Sequence, residues 1–261
     1  MVLLSIIWKN FKTISKNFLL LAFLTVMPLM QLYLINVTTV NAAAEVAESI
    51  NSGFVEIFIV SRIVNNDMLQ LYAAAILTQF LLMTSMIAGA YIVTEREENT
   101  MIRVCVAPIS KLKVLSGILL GHSITVLLVA LVIISASYRF FSVNWGDSLL
   151  NLIAITLMAV YVATAMAFII SGIFRNSNVA GGVMSIVVIA MTFTSGGLIQ
   201  SDKLEKVSNF TINKWISDAY LILAEGGRLR DISLNLTILA LIGTLLMLLA
   251  SLLYRRENVY E

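Results

Sequence analysis

The sequence predicts an all-α, polytopic membrane protein with six transmembrane helices, and three observations carry that prediction. Hydrophobic residues fill 59% of the 261 positions and charged residues only 12%, about half the charged share of an ordinary soluble domain. Six stretches reach the roughly 20 apolar residues that a helix needs to cross about 30 Å of hydrocarbon. They are Phe18–Val40, Leu71–Val93, Leu115–Ala136, Leu149–Phe174, Val179–Ile199 and Leu234–Tyr254, and none holds an Asp, Glu, Lys or Arg. Every charge lies between or outside them, as expected when burying one in lipid costs several kcal/mol. A soluble protein with six helices apolar on every face would have little polar surface left for water.

Residues 1–17 precede the first span. Ser5, Lys9, Lys12 and Lys16 fall on one helical face, and Leu4, Ile7, Phe11 and Ile14 on the opposite one. That is a basic amphipathic helix, expected to lie flat on the inner leaflet with its lysines towards anionic headgroups. Lysines followed by an apolar run also open a signal peptide, but this run is too long and no small-residue cleavage site follows, so the segment reads as retained.

Orientation follows from the loops. Residues 1–17 carry three lysines and no acid, whereas residues 41–70 carry Glu45, Glu48, Glu56 and Asp67 against Arg62. The positive-inside rule places the N-terminus in the cytoplasm, and six crossings return the C-terminus there, with Arg255 and Arg256 just past the last span. The outer segment 200–231 is balanced in charge and reports little. Within it Ile212, Trp215, Ile216, Ala219, Tyr220 and Leu223 recur at helical spacing, which reads as an interfacial or re-entrant helix with Trp215 and Tyr220 in the aromatic belt. With two prolines, thirteen glycines and no flexible linker, residues 1–261 read as a single transmembrane domain.

Motifs of catalysis are absent from the sequence. It has no G-x-x-x-x-G-K-[ST] phosphate loop, no H-E-x-x-H, no G-x-S-x-G and no Cys/His ligand cluster, so no enzyme, resident metal or cofactor is expected. A net charge of +2 is too small for a nucleic-acid surface, and the single cysteine, Cys105, has no partner for an internal disulfide. No span carries a carboxylate for proton coupling. His122 reads as a neutral imidazole donating to a neighbouring helix, with pH sensing or substrate contact as the sharper alternative. Gln31, Asn36, Gln79 and Asn151 read as interhelical glue in the same way, and Gly117 with Gly121 as a close-packing pair. Met158, Tyr161, Met184 and Phe193 suit an apolar route or a lipid-facing position equally.

The informative stretch follows the second span, from Glu95-Arg96-Glu97-Glu98-Asn99-Thr100 through Met101-Ile102-Arg103-Val104-Cys105-Val106-Ala107 to Pro108. It reads as a short cytoplasmic helix with acids in its first turn and Pro108 at its end. Met101, Ile102, Val104, Cys105 and Val106 give it more apolar surface than a solvated loop needs. A partner surface explains them, and a loop packed on the bilayer is the alternative.

Glu95, Arg96, Glu97, Thr100, Pro108, Ile109 and Ser110 match the pattern E-(R/K)-E-x-G-T … P-(I/V)-S, with Asn99 in place of the glycine. By it the chain resembles the type-2 ABC transporter permeases of the short drug- and antibiotic-exporter kind. Phe174-Arg175-Asn176-Ser177 is similar to that family's polar turn between the fourth and fifth spans, and Ser195-Gly196-Gly197 to its break after the fifth. The resemblance covers nearly the whole chain. It implies that residues 95–108 are a coupling helix, in which Glu95, Arg96, Glu97, Thr100, Met101, Ile102, Cys105 and Pro108 meet a separate ATPase. It implies that residues 1–17 are an elbow helix beside it. It further implies two ABC ATPase subunits that hold ATP and magnesium, and a second permease copy or a sister permease, in the cytoplasmic membrane. Expected cargoes are hydrophobic or amphipathic compounds: drugs, antibiotics, antimicrobial peptides or lipids. A polysaccharide or glycolipid exporter, or a non-transporting immunity or assembly protein, are the other readings.

Overall fold

A computed structural model describes residues 2–16, 18–49, 54–98, 111–196 and 205–257. Among them the chain forms helices α1 (Val2–Lys16), α2 (Phe18–Ser49), α3 (Phe54–Glu97), α4 (Lys111–Phe141), α5 (Leu149–Ile173), α6 (Ser177–Thr194), α7 (Glu205–Ser208), α8 (Ile212–Ala224) and α9 (Ser233–Glu257). No strand occurs among the described residues. Six helices, α2 to α6 and α9, are long and apolar enough to cross a membrane, so the six-span, all-α expectation holds.

The helices outrun the apolar stretches that announce them. Residues 41–70, read from sequence as a loop, are mostly helical, because α2 continues to Ser49 and α3 begins at Phe54. Hydropathy marks only the part of a helix that sits in lipid. Backbone hydrogen bonding continues past it until turn-forming residues intervene, and Asn51-Ser52-Gly53 is the first such cluster.

α3 is the axis of the bundle, touching α2, α4, α5, α6 and α8. Its sequence permits this. Ala73, Ala74, Ala75, Thr78, Ser85 and Ala88 are buried, and small side chains let helices approach closely where lipid supplies no hydrophobic drive. At Gly89 a Cβ would lie 3.2 Å from the Ala167 carbonyl oxygen of α5. α5 is small-residue-rich in turn, burying Ala159, Ala163, Ala165 and Ala167. α9 packs along α5, and a Cβ at Gly243 would collide with the Tyr161 ring. The flanks of the bundle are apolar and exposed, with Met30 and Tyr33 on α2, Ile186 on α6 and Leu241, Leu245 and Leu248 on α9. Such all-round apolar helices belong in lipid.

Two hydrophobic clusters result. The larger fills the middle and one end of the bundle, around Leu77, Leu81, Ile133, Ile155 and Tyr220. A smaller one at the opposite end gathers Ile92, Val114, Ile118, Leu119, Phe168, Ala250 and Tyr254, with Ile6 of α1 packed against it.

α8 forms where the spacing predicts, capped by Thr211, and its apolar face is buried. Asn213 donates to Thr192 Oγ1 at 2.8 Å, Asn235 donates to the Trp215 carbonyl at 3.0 Å and Asn144 donates to the Ala224 carbonyl at 2.8 Å. The aromatic-belt expectation fails for Tyr220. Its ring is fully buried, edge-on to Trp145 at 5.5 Å, with its hydroxyl 3.0 Å from Thr156 Oγ1. A tyrosine whose hydroxyl finds an internal partner has no need of the interface. Trp215 is half-buried and donates to the Asn209 carbonyl at 2.9 Å. Partial burial raises the Asp218 carboxyl above the ordinary range, with the Lys214 charge pulling the other way.

Candidate functional site

The end of α3 that leads into residues 99–110 is the most heavily tied part of the bundle surface. Three consecutive side chains there reach three different directions. Glu95 accepts a hydrogen bond from the Tyr91 hydroxyl at 3.0 Å and pairs with Lys9 of α1 at 3.6 Å. Arg96 donates to the Ser171 carbonyl, in the last turn of α5, at 2.7 Å. Its guanidinium carbon also lies 4.4 Å from the centroid of the Tyr254 ring of α9. Glu97 accepts from Ser177 at the start of α6, from the hydroxyl at 2.6 Å and from the backbone N–H at 3.3 Å.

Helical periodicity explains the fan. Successive residues on a helix point about 100° apart, so a three-residue run at the foot of a central helix addresses three neighbours. Each contact suits its partner's chemistry. A carbonyl at the end of α5 is an orphan acceptor that welcomes a cation, and the first N–H groups of α6 are orphan donors that welcome an anion. Asn176 caps α6 alongside, accepting from the Val179 N–H at 3.0 Å. Tyr254 is itself held, its hydroxyl 2.8 Å from Ser171 Oγ and its ring stacked on Phe168 at 4.7 Å. The smaller hydrophobic cluster lies directly beneath.

This geometry corrects one local expectation. Glu95, Arg96 and Glu97 do not open a separate helix; they complete the last turn of α3, and the Glu98 N–H still donates to the Thr94 carbonyl at 2.9 Å. Acids at a helix C-terminus oppose the helix dipole. Here Lys9 and the N-terminus of α6 supply the compensating positive ends. Thr100, Met101, Ile102, Cys105 and Pro108 lie outside the described residues.

α1 lies along α4 and also meets α2. Ile6, Ile7 and Phe11 are half-buried, whereas Leu4 and Trp8 are exposed. Its rotation thus differs from the simple two-faced reading: Lys9 is turned to Glu95, and Lys12 remains exposed. Lys9, Tyr91, Ser171, Ser177 and Tyr254 were not identified as site residues from sequence. They sit up to about 160 positions from Glu95 in the chain, and no local signal marks a partner that the fold alone brings close.

The residues read as polar glue divide. Ser123 of α4 bonds to Thr164 of α5 at 2.8 Å, a true interhelical link. His122 is buried against the backbone of Thr84, yet neither ring nitrogen reaches a hydrogen-bond partner in normal geometry. The expected donation to a neighbouring helix is therefore not made. Among the described residues no group of acids, histidines and cysteines could hold a metal ion.

Six spanning helices around a small-residue axis, with an interfacial helix at one end and a polar knot on the axis beside it, define a membrane permease. A family model described as ABC-2 family transporter protein matches residues 5–252, and the chain belongs to that family. It is a permease subunit of an ABC transporter, a role that implies association with ABC ATPase subunits. No curated protein matches the chain.

Proposed function

We propose that this permease drives export, moving hydrophobic or amphipathic compounds out of the cytoplasm or the inner leaflet when two ATPase subunits bind and hydrolyse ATP. The observation that carries the reading is the polar knot at Glu95, Arg96 and Glu97. It stands where the chain leaves α3 for residues 99–110, and it ties that point to α1, α5, α6 and α9. A push on the 99–110 segment would therefore be felt by four other helices at once, which is what a coupling element requires. In this reading Thr100, Met101, Ile102, Cys105 and Pro108 belong to the docking surface, and Glu95, Arg96 and Glu97 are positioning residues behind it. The N- and C-termini face the cytoplasm, and ATP and magnesium are held by the partner ATPase. A second permease, identical or sister, completes the unit.

The test is assembly with the ATPase that co-purifies with tagged permease. Met101→Ala with Ile102→Ala removes roughly 1.5–3 kcal/mol per buried side chain and should abolish co-purification while leaving the permease folded. Thr100→Cys should cross-link to the ATPase, with a yield altered by ATP and vanadate. Wild-type co-purification and export by the double variant would overturn the coupling assignment.

A further inference from the structure

A recess of about 310 Å³ opens between α2, α3 and α6, near the end of the bundle opposite the polar knot. Its walls are apolar, with Leu34, Ile76 and Phe193 prominent, but it also presents the carboxamides of Gln31 and Gln79 and the hydroxyl of Thr192. Thr192 is satisfied, donating to the Val188 carbonyl at 2.8 Å and accepting from Asn213 at 2.8 Å. The two glutamines are not. Among the described residues neither carboxamide has a hydrogen-bond partner, although both lie on membrane-spanning helices. Read from sequence as glue between helices, they glue nothing.

An unpaired carboxamide facing hydrocarbon is costly, because lipid tails offer neither donors nor acceptors. Two of them at one recess, from different helices, call for an occupant that both accepts and donates hydrogen bonds. No charged side chain lines the recess, so a cation or anion would enter without a counter-charge. Leu34 and Phe193 are about half exposed, so the recess opens sideways to the bilayer, and an occupant can leave its apolar body among lipid chains.

We propose that the recess of Gln31, Gln79 and Thr192 binds a neutral amphipathic molecule whose head carries amide or hydroxyl groups. This rests on the export reading and narrows it: the cargo class is uncharged and hydrogen-bonding, and both carboxamides determine specificity.

The experiment uses the full chain in nanodiscs with a diazirine-bearing octanamide as photoprobe, mapping adducts by mass spectrometry. Saturable adducts are expected on α2, α3 and α6 around Leu34 and Phe193. Excess octanamide should displace them, and octanoate or octyltrimethylammonium should not. Gln31→Leu with Gln79→Leu should cut saturable labelling about tenfold, the order expected for two hydrogen bonds. Neither carboxamide has a protein partner to lose, so that variant should fold. Displacement by dioctanoylglycerol as well would assign the site to a lipid; displacement by amides alone would assign it to a non-lipid compound. Either outcome supports the proposal. Labelling that rises linearly with probe and spreads to Leu241, Leu245 and Leu248 would overturn it. So would Gln31→Cys or Gln79→Cys joining two copies by a disulfide with no adduct at the recess, since a second permease would then fill it. Co-purification of the ATPase, read on the same preparations, keeps the two readings apart. Retained association with non-saturable labelling rejects the recess alone, and saturable labelling without association rejects the coupling assignment alone.

Discussion

Arg96 combines two interactions that no other side chain supplies together: a charged donor to the Ser171 carbonyl and a flat cation over the Tyr254 ring. Arg96→Ala should lower stability by about 1–2 kcal/mol, the sum of a partly solvated charged hydrogen bond and a cation–π contact. Arg96→Lys should recover little of it, because an ammonium lacks the planar fork that does both. Thermal unfolding in detergent would read the difference, and equal midpoints for Arg, Lys and Ala would show the contact to be idle. His122 poses the opposite case. Its ring nitrogens are buried without hydrogen-bond partners, and removing an unsatisfied polar group is close to neutral or stabilising. His122→Leu should leave the midpoint equal or higher and export intact. A loss of export at normal membrane levels, rescued by Gln, would instead assign the imidazole a working role.

Helix ends and connections decide how the elements meet. Between α4 and α5 the chain turns at Gly146, whose φ is +88° and where a Cβ would collide with the Leu223 carbonyl of α8. Only glycine meets both demands. Gly146→Ala should cost about 1–3 kcal/mol and loosen α8, read as faster hydrogen exchange across Ile212–Ala224 while α9 keeps its protection. Unchanged exchange would mean that α8 is held by other contacts, such as Asn213 to Thr192 and Asn235 to the Trp215 carbonyl. α6 shows the same logic at both ends. Asn176 and Glu97 satisfy its first N–H groups, and Gly196, at φ +81°, follows where the helix stops.

For the molecule as a whole, six spans fix which ends share a side. Lys12 is exposed on α1 and Lys206 is exposed on α7. In a Cys105→Ser background, Lys206→Cys should react with an impermeant maleimide in whole cells, and Lys12→Cys only after the membrane is permeabilised. External reaction at Lys12→Cys would reverse the orientation and place the polar knot away from any cytoplasmic ATPase.

By itself the sequence determined the class of protein and the number of spans, because lipid is an unforgiving solvent: every uncharged run of about 20 residues announces itself. It also located α8 by its spacing and singled out Glu95, Arg96 and Glu97. What those three residues do was left to the tertiary structure. Their partners Lys9, Ser171, Ser177 and Tyr254 lie on separate helices, and inside a membrane nearly all helices look alike in hydropathy, so nothing local says which will be neighbours. Tyr220 went to the core and not the interface for the same reason: Thr156 happened to be within reach. The recess of Gln31 and Gln79 is a tertiary decision too. A lone glutamine in a span reads as glue until the fold shows that no helix answers it.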